Sequence, residues 1–177
     1  MIQVIILNGG SSSGKTTIAT LLQDILPSPW LRLGVDTLID AMPKTLLTAD
    51  SGIEFGVDGS VRPGPVFRKL ESAWMQGVAA MVSAGARIII DDVFISGVDA
   101  RNRWRAALAD VSILWVGVRC DPAIAAERER ERGDRVTGMA KVQAQIVHAG
   151  IDYDLEVDTS EMPAVECAHL IAKRVGD

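Results

Sequence analysis

Eight residues near the start of the chain have the types and spacing of a phosphate-binding loop. They follow the apolar run 2–7 and match G-x-x-x-x-G-K-[ST] at every fixed position: Gly9, Gly10, Ser11, Ser12, Ser13, Gly14, Lys15 and Thr16. Small residues let backbone N–H groups turn toward a phosphate, and the next helix adds its dipole. Lys15 would reach the β- and γ-phosphates, and the Thr16 hydroxyl would help to coordinate Mg²⁺. The alternative, a Gly/Ser-rich turn without a ligand, fits the strand before it and the helix after it less well.

Two further carboxylates follow a buried strand later in the chain. The run 86–90 is largely apolar and leads directly into Asp91 and Asp92. Such a strand end is a Walker B pattern, in which an acidic group opposite the phosphate loop holds Mg²⁺, usually through a water. We predict Asp91 on the metal side and Asp92 as its companion that faces the substrate cleft.

A third carboxylate closes the segment 30–36, which predicts a short second strand with Asp36 at its carboxyl end. Open α/β sheets place ligand groups at that end of their strands. A helix is predicted over 37–42, so Asp36 has a second interpretation as the N-cap of that helix. The two roles are compatible.

Arginines surround a glycine in the segment 127–135, where acidic and basic residues alternate up to Gly133. This run is typical of a solvated helix face. It also suits a mobile lid that brings guanidinium groups onto a transferring phosphoryl group. On the second interpretation Arg132 and Arg135 are the phosphate contacts, ahead of Arg128 and Arg130.

The segment 43–65 has weak periodicity and four glycines, and Asp58-Gly59 predicts a small hairpin within it. A segment of this length in a compact domain is often functional, so we expect part of a substrate pocket or lid, with a plain surface excursion as the alternative. Side chains expected to line an apolar pocket with few polar anchors are Met42, Phe55, Val93 and Phe94.

Composition limits the remaining choices. The 177 residues are 48% hydrophobic and 23% charged, which predicts one globular domain over residues 1–177. The net charge of −5 argues against a nucleic-acid partner, and no apolar run is long enough to cross a membrane. Cys120 and Cys167 lack metal-ligand spacing, so we expect reduced thiols, a cytoplasmic location and a small-molecule partner. Homo-oligomerisation stays open.

Strands alternate with helices five times, which predicts an α/β fold whose five-stranded parallel sheet has helices on both faces. We infer the strand order 2-3-1-4-5, with the Walker B strand beside the strand of the phosphate loop. Asp36 then lies across the cleft from Lys15, where a carboxylate can orient an acceptor hydroxyl and take its proton. This arrangement favours a kinase over a nucleotide-driven switch, which needs parts that couple hydrolysis to motion.

Similarity to a known family extends beyond the phosphate loop. The segments that carry it are 6–15, 33–39, 52–55, 84–94, 114–120 and 132–136, and together they resemble chloramphenicol phosphotransferase over essentially the whole chain. The resemblance implies a P-loop kinase fold, ATP and Mg²⁺ as cofactors, and phosphorylation of the primary hydroxyl of chloramphenicol, which inactivates the antibiotic. It also implies that Asp36 is the catalytic base and that residues 9–16 form the ATP site.

Three functions remain open at this point. The first is a small-molecule O-kinase of this type, and the second is a metabolite or nucleoside kinase with the same catalytic parts. The third is a nucleotide-binding module without catalysis, against which Asp36, the Asp91-Asp92 pair and the lid arginines argue together. Nothing in the sequence distinguishes ATP from GTP.

Overall fold

The structure, a computed structural model, describes residues 1–47, 50–56, 59–132 and 138–176. Its strands are β1 (Val4–Asn8), β2 (Leu31–Gly34), β3 (Ile53–Phe55), β4 (Val61–Pro63), β5 (Ile88–Asp92), β6 (Ile113–Arg119) and β7 (Leu155–Asp158). Its α-helices are α1 (Lys15–Ile25), α2 (Val35–Asp40), α3 (Pro65–Ser83), α4 (Val98–Ala107), α5 (Pro122–Arg132), α6 (Met139–Ile146) and α7 (Ala164–Gly176). A 3₁₀ turn covers Lys44–Leu47.

Five of these strands form a parallel sheet in the order β2-β5-β1-β6-β7. Numbered among themselves, the five sheet strands follow the predicted order 2-3-1-4-5, so the predicted fold is confirmed. Register pairs Asn8 with Asp92 and Gly34 with Asp91. The carboxyl ends of β1, β2 and β5 therefore meet at one edge of the sheet, directly before the segments with the predicted site residues.

The central strand β1 is buried on both faces, which explains its continuous apolar run. Ile5 and Leu7 pack into a core with α1 and α7. Val4 and Ile6 point the other way, into a core with α3 and α4. This alternation, set by the two-residue period of a strand, makes β1 a rigid base for the loop that follows it.

The segment between α2 and α3 forms its own two-stranded sheet. Strands β3 and β4 pair antiparallel, with Ile53 opposite Pro63, so the predicted hairpin is confirmed. The residues at its tip, 57 and 58, lie outside the described residues. Leu38, Met42, Ile53 and Phe67 form a small separate core beneath it.

Helix α2 lies two residues earlier in the chain than predicted. Strand β2 ends at Gly34, and the chain enters α2 at Val35, two residues before the predicted helix start. Asp36 therefore lies in the first turn of α2 rather than at the end of a strand. Among the described helices, none is long and apolar enough to cross a membrane.

Candidate active site

The phosphate loop adopts a tight backbone between β1 and α1. Gly14 has a φ of 87°, in the left-handed region that favours glycine, and Ser12 has a φ of 58°. The Lys15 side chain is buried and its Nζ donates a hydrogen bond to the Gly10 carbonyl at 2.8 Å. Its Nζ also lies 4.0 Å from Asp91 Oδ1. The loop therefore holds a buried cation against a carboxylate from the neighbouring strand.

Two hydroxyls of this loop lack partners. Within the described part of the chain, the buried Oγ atoms of Ser12 and Ser13 have no hydrogen-bond partner. Buried polar groups are usually paired, so two orphaned hydroxyls beside a lysine fit a bound oxyanion. The loop is also closely packed, because a Cβ at Gly9 would lie 2.5 Å from the Val118 carbonyl oxygen.

Thr16 and Asp91 stand together at the start of α1. The Thr16 hydroxyl donates to Asp91 Oδ2 at 2.6 Å. Hydroxyl and carboxylate oxygens suit Mg²⁺, which binds proteins through few direct ligands and keeps several waters. Among the described residues, no group of three or more His, Cys, Asp or Glu side chains could hold a metal ion.

Asp92, the predicted companion of Asp91 on the side of the substrate cleft, accepts hydrogen bonds on both carboxylate oxygens. Oδ2 accepts a hydrogen bond from Trp104 Nε1 at 2.6 Å, and Oδ1 accepts one from the Val93 amide at 2.7 Å. Burial raises the pKa of Asp92, and these two hydrogen bonds oppose that effect. Asp92 therefore orients α4 and the segment after β5, and its role toward a metal stays a prediction.

Asp36 lines the same cavity as Lys15, Thr16 and Asp91. Asp36 is exposed and lies in the first turn of α2. The interpretation of Asp36 as N-cap is wrong, because Gly34 occupies that position and its amide donates to the Thr37 hydroxyl at 3.3 Å. Capping therefore does not account for an aspartate here.

The rest of this cavity is more polar than predicted. Phe55 and Val93 line it, but Met42 and Phe94 are buried in the core and do not. Their places are taken by a polar wall that the sequence did not predict, formed by Arg68, Glu71, Ser96 and Arg103. The expected apolar lining is present, with Ile53, Phe67 and Ile95 among its members, but its polar groups are more numerous than predicted.

The predicted lid arginines fall largely outside the described residues. Arg132 ends the backbone of α5, and its side chain is not among the described ones; Arg135 lies within 133–137, which are not described. Their contact with phosphate stays a prediction. The charged run just before them is not simply a solvated face, because Glu129 is buried and accepts hydrogen bonds from the amides of Gly138 and Ala140 at 2.7 Å. Glu129 thereby joins α5 to the start of α6.

Arg128, ranked below Arg132 and Arg135 from the sequence, faces a second cavity that also touches residues 12–17 of the loop and the start of α1. Its guanidinium donates to the Thr159 hydroxyl at 3.1 Å and to the Thr159 carbonyl at 2.9 Å. The Thr159 hydroxyl is 2.9 Å from the Ser13 carbonyl, to which it donates. Arg128 is thus linked to the phosphate loop through one threonine. The 3.6-residue period of a helix places Arg128 and Glu129 on a different face of α5 from the exposed residues 127 and 130. That period could have indicated that Arg128 and Glu129 face inward.

Two side chains connect the loop and the residue before it to distant segments of the chain by hydrogen bonds. Gln143 of α6 is buried, and its Oε1 accepts a hydrogen bond from the Ser11 amide at 2.7 Å. Asn8, the last residue of β1, accepts a hydrogen bond from the Phe94 amide at 2.9 Å. Asn8 also donates to the Tyr153 hydroxyl at 2.6 Å. Neither connection has a local motif that could have predicted it.

His148 completes this network, because its Nδ1 is 2.8 Å from the Tyr153 hydroxyl. Burial lowers the pKa of His148 to about 4, and burial raises the pKa of Tyr153 to about 12. Since Asn8 donates to the tyrosine oxygen, the tyrosine proton is available to a neutral His148 acceptor. The network is therefore neutral at pH 7 and structural.

Comparison with known proteins identifies the same family as the sequence motifs, over nearly the whole chain. The model of the family described as chloramphenicol phosphotransferase-like protein matches residues 2–176. Two curated relatives from two strains of Mycobacterium tuberculosis, each named "Putative O-phosphotransferase", are 33% identical over 183 residues. The alignment covers 94% of this chain and 79% of each relative.

Solved structures share the fold at low sequence identity. A tunicamycin resistance protein of Deinococcus radiodurans has a TM-score of 0.70 at 20% identity, over 99% of this chain and 96% of that one. A sugar kinase of Janibacter sp. has a TM-score of 0.69 at 18% identity, over 98% and 94%. The APS kinase CysC of Mycobacterium tuberculosis has a TM-score of 0.66 at 14% identity, over 99% and 98%. The chain belongs to the chloramphenicol phosphotransferase-like family and is a phosphotransferase.

Proposed function

We propose that this phosphotransferase moves the γ-phosphoryl group of ATP to the primary hydroxyl of chloramphenicol or a similar small molecule. The observation that carries the proposal is one continuous cavity lined by both Lys15 and Asp36. A lysine that can contact phosphates and a carboxylate that can contact an alcohol thus face the same space. Direct transfer needs donor and acceptor held together in this way.

On the nucleotide side, the amides of the loop 9–16 and the Lys15 ammonium would hold the phosphates. Ser12 and Ser13 would supply the hydroxyls that now lack partners. Thr16 and Asp91 would hold Mg²⁺, which neutralises phosphate charge when it is bound. Arg132, the last residue of α5, and Arg135, which follows that helix, are proposed to reach the transferring group.

On the acceptor side, Asp36 would accept a hydrogen bond from the substrate hydroxyl and so aim its oxygen at the γ-phosphorus. As that oxygen forms its bond to phosphorus, the bond from phosphorus to the ADP oxygen breaks and the hydroxyl proton passes to Asp36. The short helix α2 fixes Asp36, because Gly34 is held in register with Asp91 on the adjacent strand.

The proposal extends to the setting of the enzyme. Residues 1–177 would act as one catalytic domain on a small hydroxyl compound. The described cysteines Cys120 and Cys167 are both free thiols, which supports a cytoplasmic location.

A different acceptor, such as a metabolite, is the second candidate. Arg68 and Arg103 on the cavity wall favour it, because charged side chains suit an acceptor more polar than an aromatic drug. The catalytic parts would be the same for both acceptors, so the two candidates differ only in what the far wall binds.

Purified protein should be incubated with Mg·ATP and chloramphenicol while ADP release and product mass are followed. We expect a gain of one phosphoryl group, with the phosphate on the primary hydroxyl. Binding of ATP without any change in the drug would reject chloramphenicol and leave the second candidate. Absence of ATP binding in a folded protein would reject both.

A further inference from the structure

Two arginines from different helices converge on the cavity wall beyond the proposed catalytic groups. Arg68 lies on α3 and Arg103 on α4, and both line the cavity that contains Lys15 and Asp36. Glu71 and Ser96 lie between them. We call these four residues the arginine wall.

The geometry of the arginine wall fixes both guanidinium groups. Arg68 Nη1 donates to Glu71 Oε1 at 3.0 Å and to Oε2 at 2.8 Å, and Arg103 Nε is 3.1 Å from the same Oε2. The Ser96 hydroxyl accepts from Arg68 Nη2 at 3.4 Å and from Arg103 Nη2 at 3.1 Å. One carboxylate and one hydroxyl thus hold two arginines in place, a preorganisation that lowers the entropy cost of binding.

The arginine wall contains two cations and one anion. Two guanidinium groups share the single carboxylate of Glu71, since arginine stays protonated. Asp92, in the same cavity, is a further carboxylate that interacts with Glu71. The side chain of Glu71 is 14% exposed, whereas those of Arg68 and Arg103 are 31% and 32% exposed. The cations therefore reach solvent more than the carboxylate that holds them.

Arg103 Nε lies 3.1 Å from Glu71 Oε2 without the alignment of a hydrogen bond, so an ion pair holds it on that side.

We propose that the arginine wall binds an anionic oxygen group of the acceptor, so that the preferred acceptors are hydroxyl compounds that also carry a carboxylate or phosphate group. This inference rests on the proposed function with its second candidate acceptor, because chloramphenicol carries neither group. Arginine pairs recognise such groups with charge-assisted hydrogen bonds in fixed directions. The acceptor would be held by its anion at the wall and by its hydroxyl at Asp36.

The test uses a panel of primary alcohols that carry a carboxylate at increasing distances from the hydroxyl, each with its neutral amide. Matched phosphate esters separate the two anion types. Calorimetry in the presence of Mg·ADP measures binding without turnover. We expect at least one acid or ester to bind about 10- to 100-fold more tightly than its neutral counterpart. Equal binding across every pair, or no binding by any member, would overturn the inference.

Variants assign the preference to the wall. Arg103→Gln should remove it, Arg103→Lys should retain part of it, and Arg68→Gln provides a second truncation if the first variant does not fold. Arg105→Gln is the matched control, because Arg105 is on the same helix but exposed. If the folded Arg103→Gln and Arg68→Gln variants both keep the preference for the anionic ligand, the wall serves only to join α3 to α4.

Turnover of the same panel separates this inference from the proposed function. With the inference correct, the Arg103→Gln variant raises KM for the anionic alcohol more than KM for its neutral amide, whereas the Arg105→Gln control changes neither value. Phosphorylation of neutral alcohols alone would reject the inference and keep the proposed function. Arginine-dependent binding of the anion without any phosphorylation would reject the proposed function and keep the anion site.

Discussion

The two ends of the cavity are built in different ways. The phosphate loop consists of eight consecutive residues, 9–16, backed by a strand that is buried throughout. The acceptor end collects side chains from α2, the β3–β4 hairpin, α3, α4 and the segment after β5. On the proposed function, a continuous stretch of chain would bind the nucleotide, and separate segments would bind the acceptor.

The interactions at the two ends differ as well. Lys15 is buried, donates to a backbone carbonyl and lies 4.0 Å from Asp91, whereas Arg68 and Arg103 are about one-third exposed and share the carboxylate of Glu71. The phosphate loop thus depends on its own backbone and the adjacent strand, and the arginine wall depends on contacts between side chains of α3 and α4. Asn8, the last residue of β1, connects the strand before the loop to the segment after β5, because its Oδ1 accepts a hydrogen bond from the Phe94 amide.

Lys15→Met should produce the largest effect. Loss of its charge would lower kcat/KM by about 10³-fold, because a preorganised cation opposite developing charge is removed. The loss should be the same for every acceptor, in contrast to variants of the arginine wall. Steady-state kinetics with two acceptors measures this. A loss that depends strongly on the acceptor would mean that the two ends are not separate.

Gly9→Ala should destabilise the protein by about 1–3 kcal/mol, because its Cβ would lie 2.5 Å from the Val118 carbonyl oxygen and 2.7 Å from Ser13 Oγ. Gly77→Ala is the control in the middle of α3, where a Cβ would meet no atom within 4 Å. That control should stabilise by about 0.5–1 kcal/mol through helix propensity. Urea unfolding measures both. Equal effects of the two substitutions would contradict the tight packing of the loop.

His148→Gln should have the smallest effect and a defined pH dependence. The pKa of His148 is lowered to about 4, chiefly by burial and further by Arg119 and Lys15, while Glu156 opposes this. The unfolded chain takes up a proton near pH 6.5 and the native protein does not, so the contribution of neutral His148 is complete above pH 6.5 and is lost as the pH falls toward 4.

The Tm difference between wild type and His148→Gln should therefore shrink by about 2–4 °C between pH 7 and pH 4.5. Thermal unfolding at several pH values measures it, and the paired difference cancels other titrating groups such as Asp92. Tyr153→Phe removes the hydroxyl that contacts His148 and serves as the companion variant. A difference that does not vary with pH would show that His148 is not held neutral by this network.

Much of the nucleotide end could be predicted from the sequence because its signals are local. The pattern Gly9 to Thr16, the apolar run before it and the strand that ends in Asp91 each lie within a few residues, and the sheet order follows from their alternation with helices. The predicted bounds of the strand and the helix around Asp36 were wrong by two residues. Helix α2 begins directly after Gly34, and a glycine has no capping side chain that could have indicated the helix start.

The acceptor end could not be predicted in the same way. Arg68 and Glu71 read as an ordinary i,i+3 pair on a helix surface, and only the packing of α4 against α3 turns them toward Arg103. Phe94 looked like a pocket residue but the Asn8 side chain fixes its amide and its ring is buried. Contacts between segments that are distant in sequence carry no short-range signal.

The central claim is that the Asp36 carboxylate acts on the acceptor hydroxyl, and kcat of the Asp36→Asn variant tests it most directly. Asp40→Asn is the matched control, because Asp40 is exposed on the same helix and does not line the cavity. The assay uses an acceptor that the turnover experiments above find to be phosphorylated. Asp36→Asn should lower kcat by about 10²–10⁴-fold while ATP binding is retained, and Asp40→Asn should leave kcat unchanged. Equal kcat values for Asp36→Asn and wild type would contradict the account.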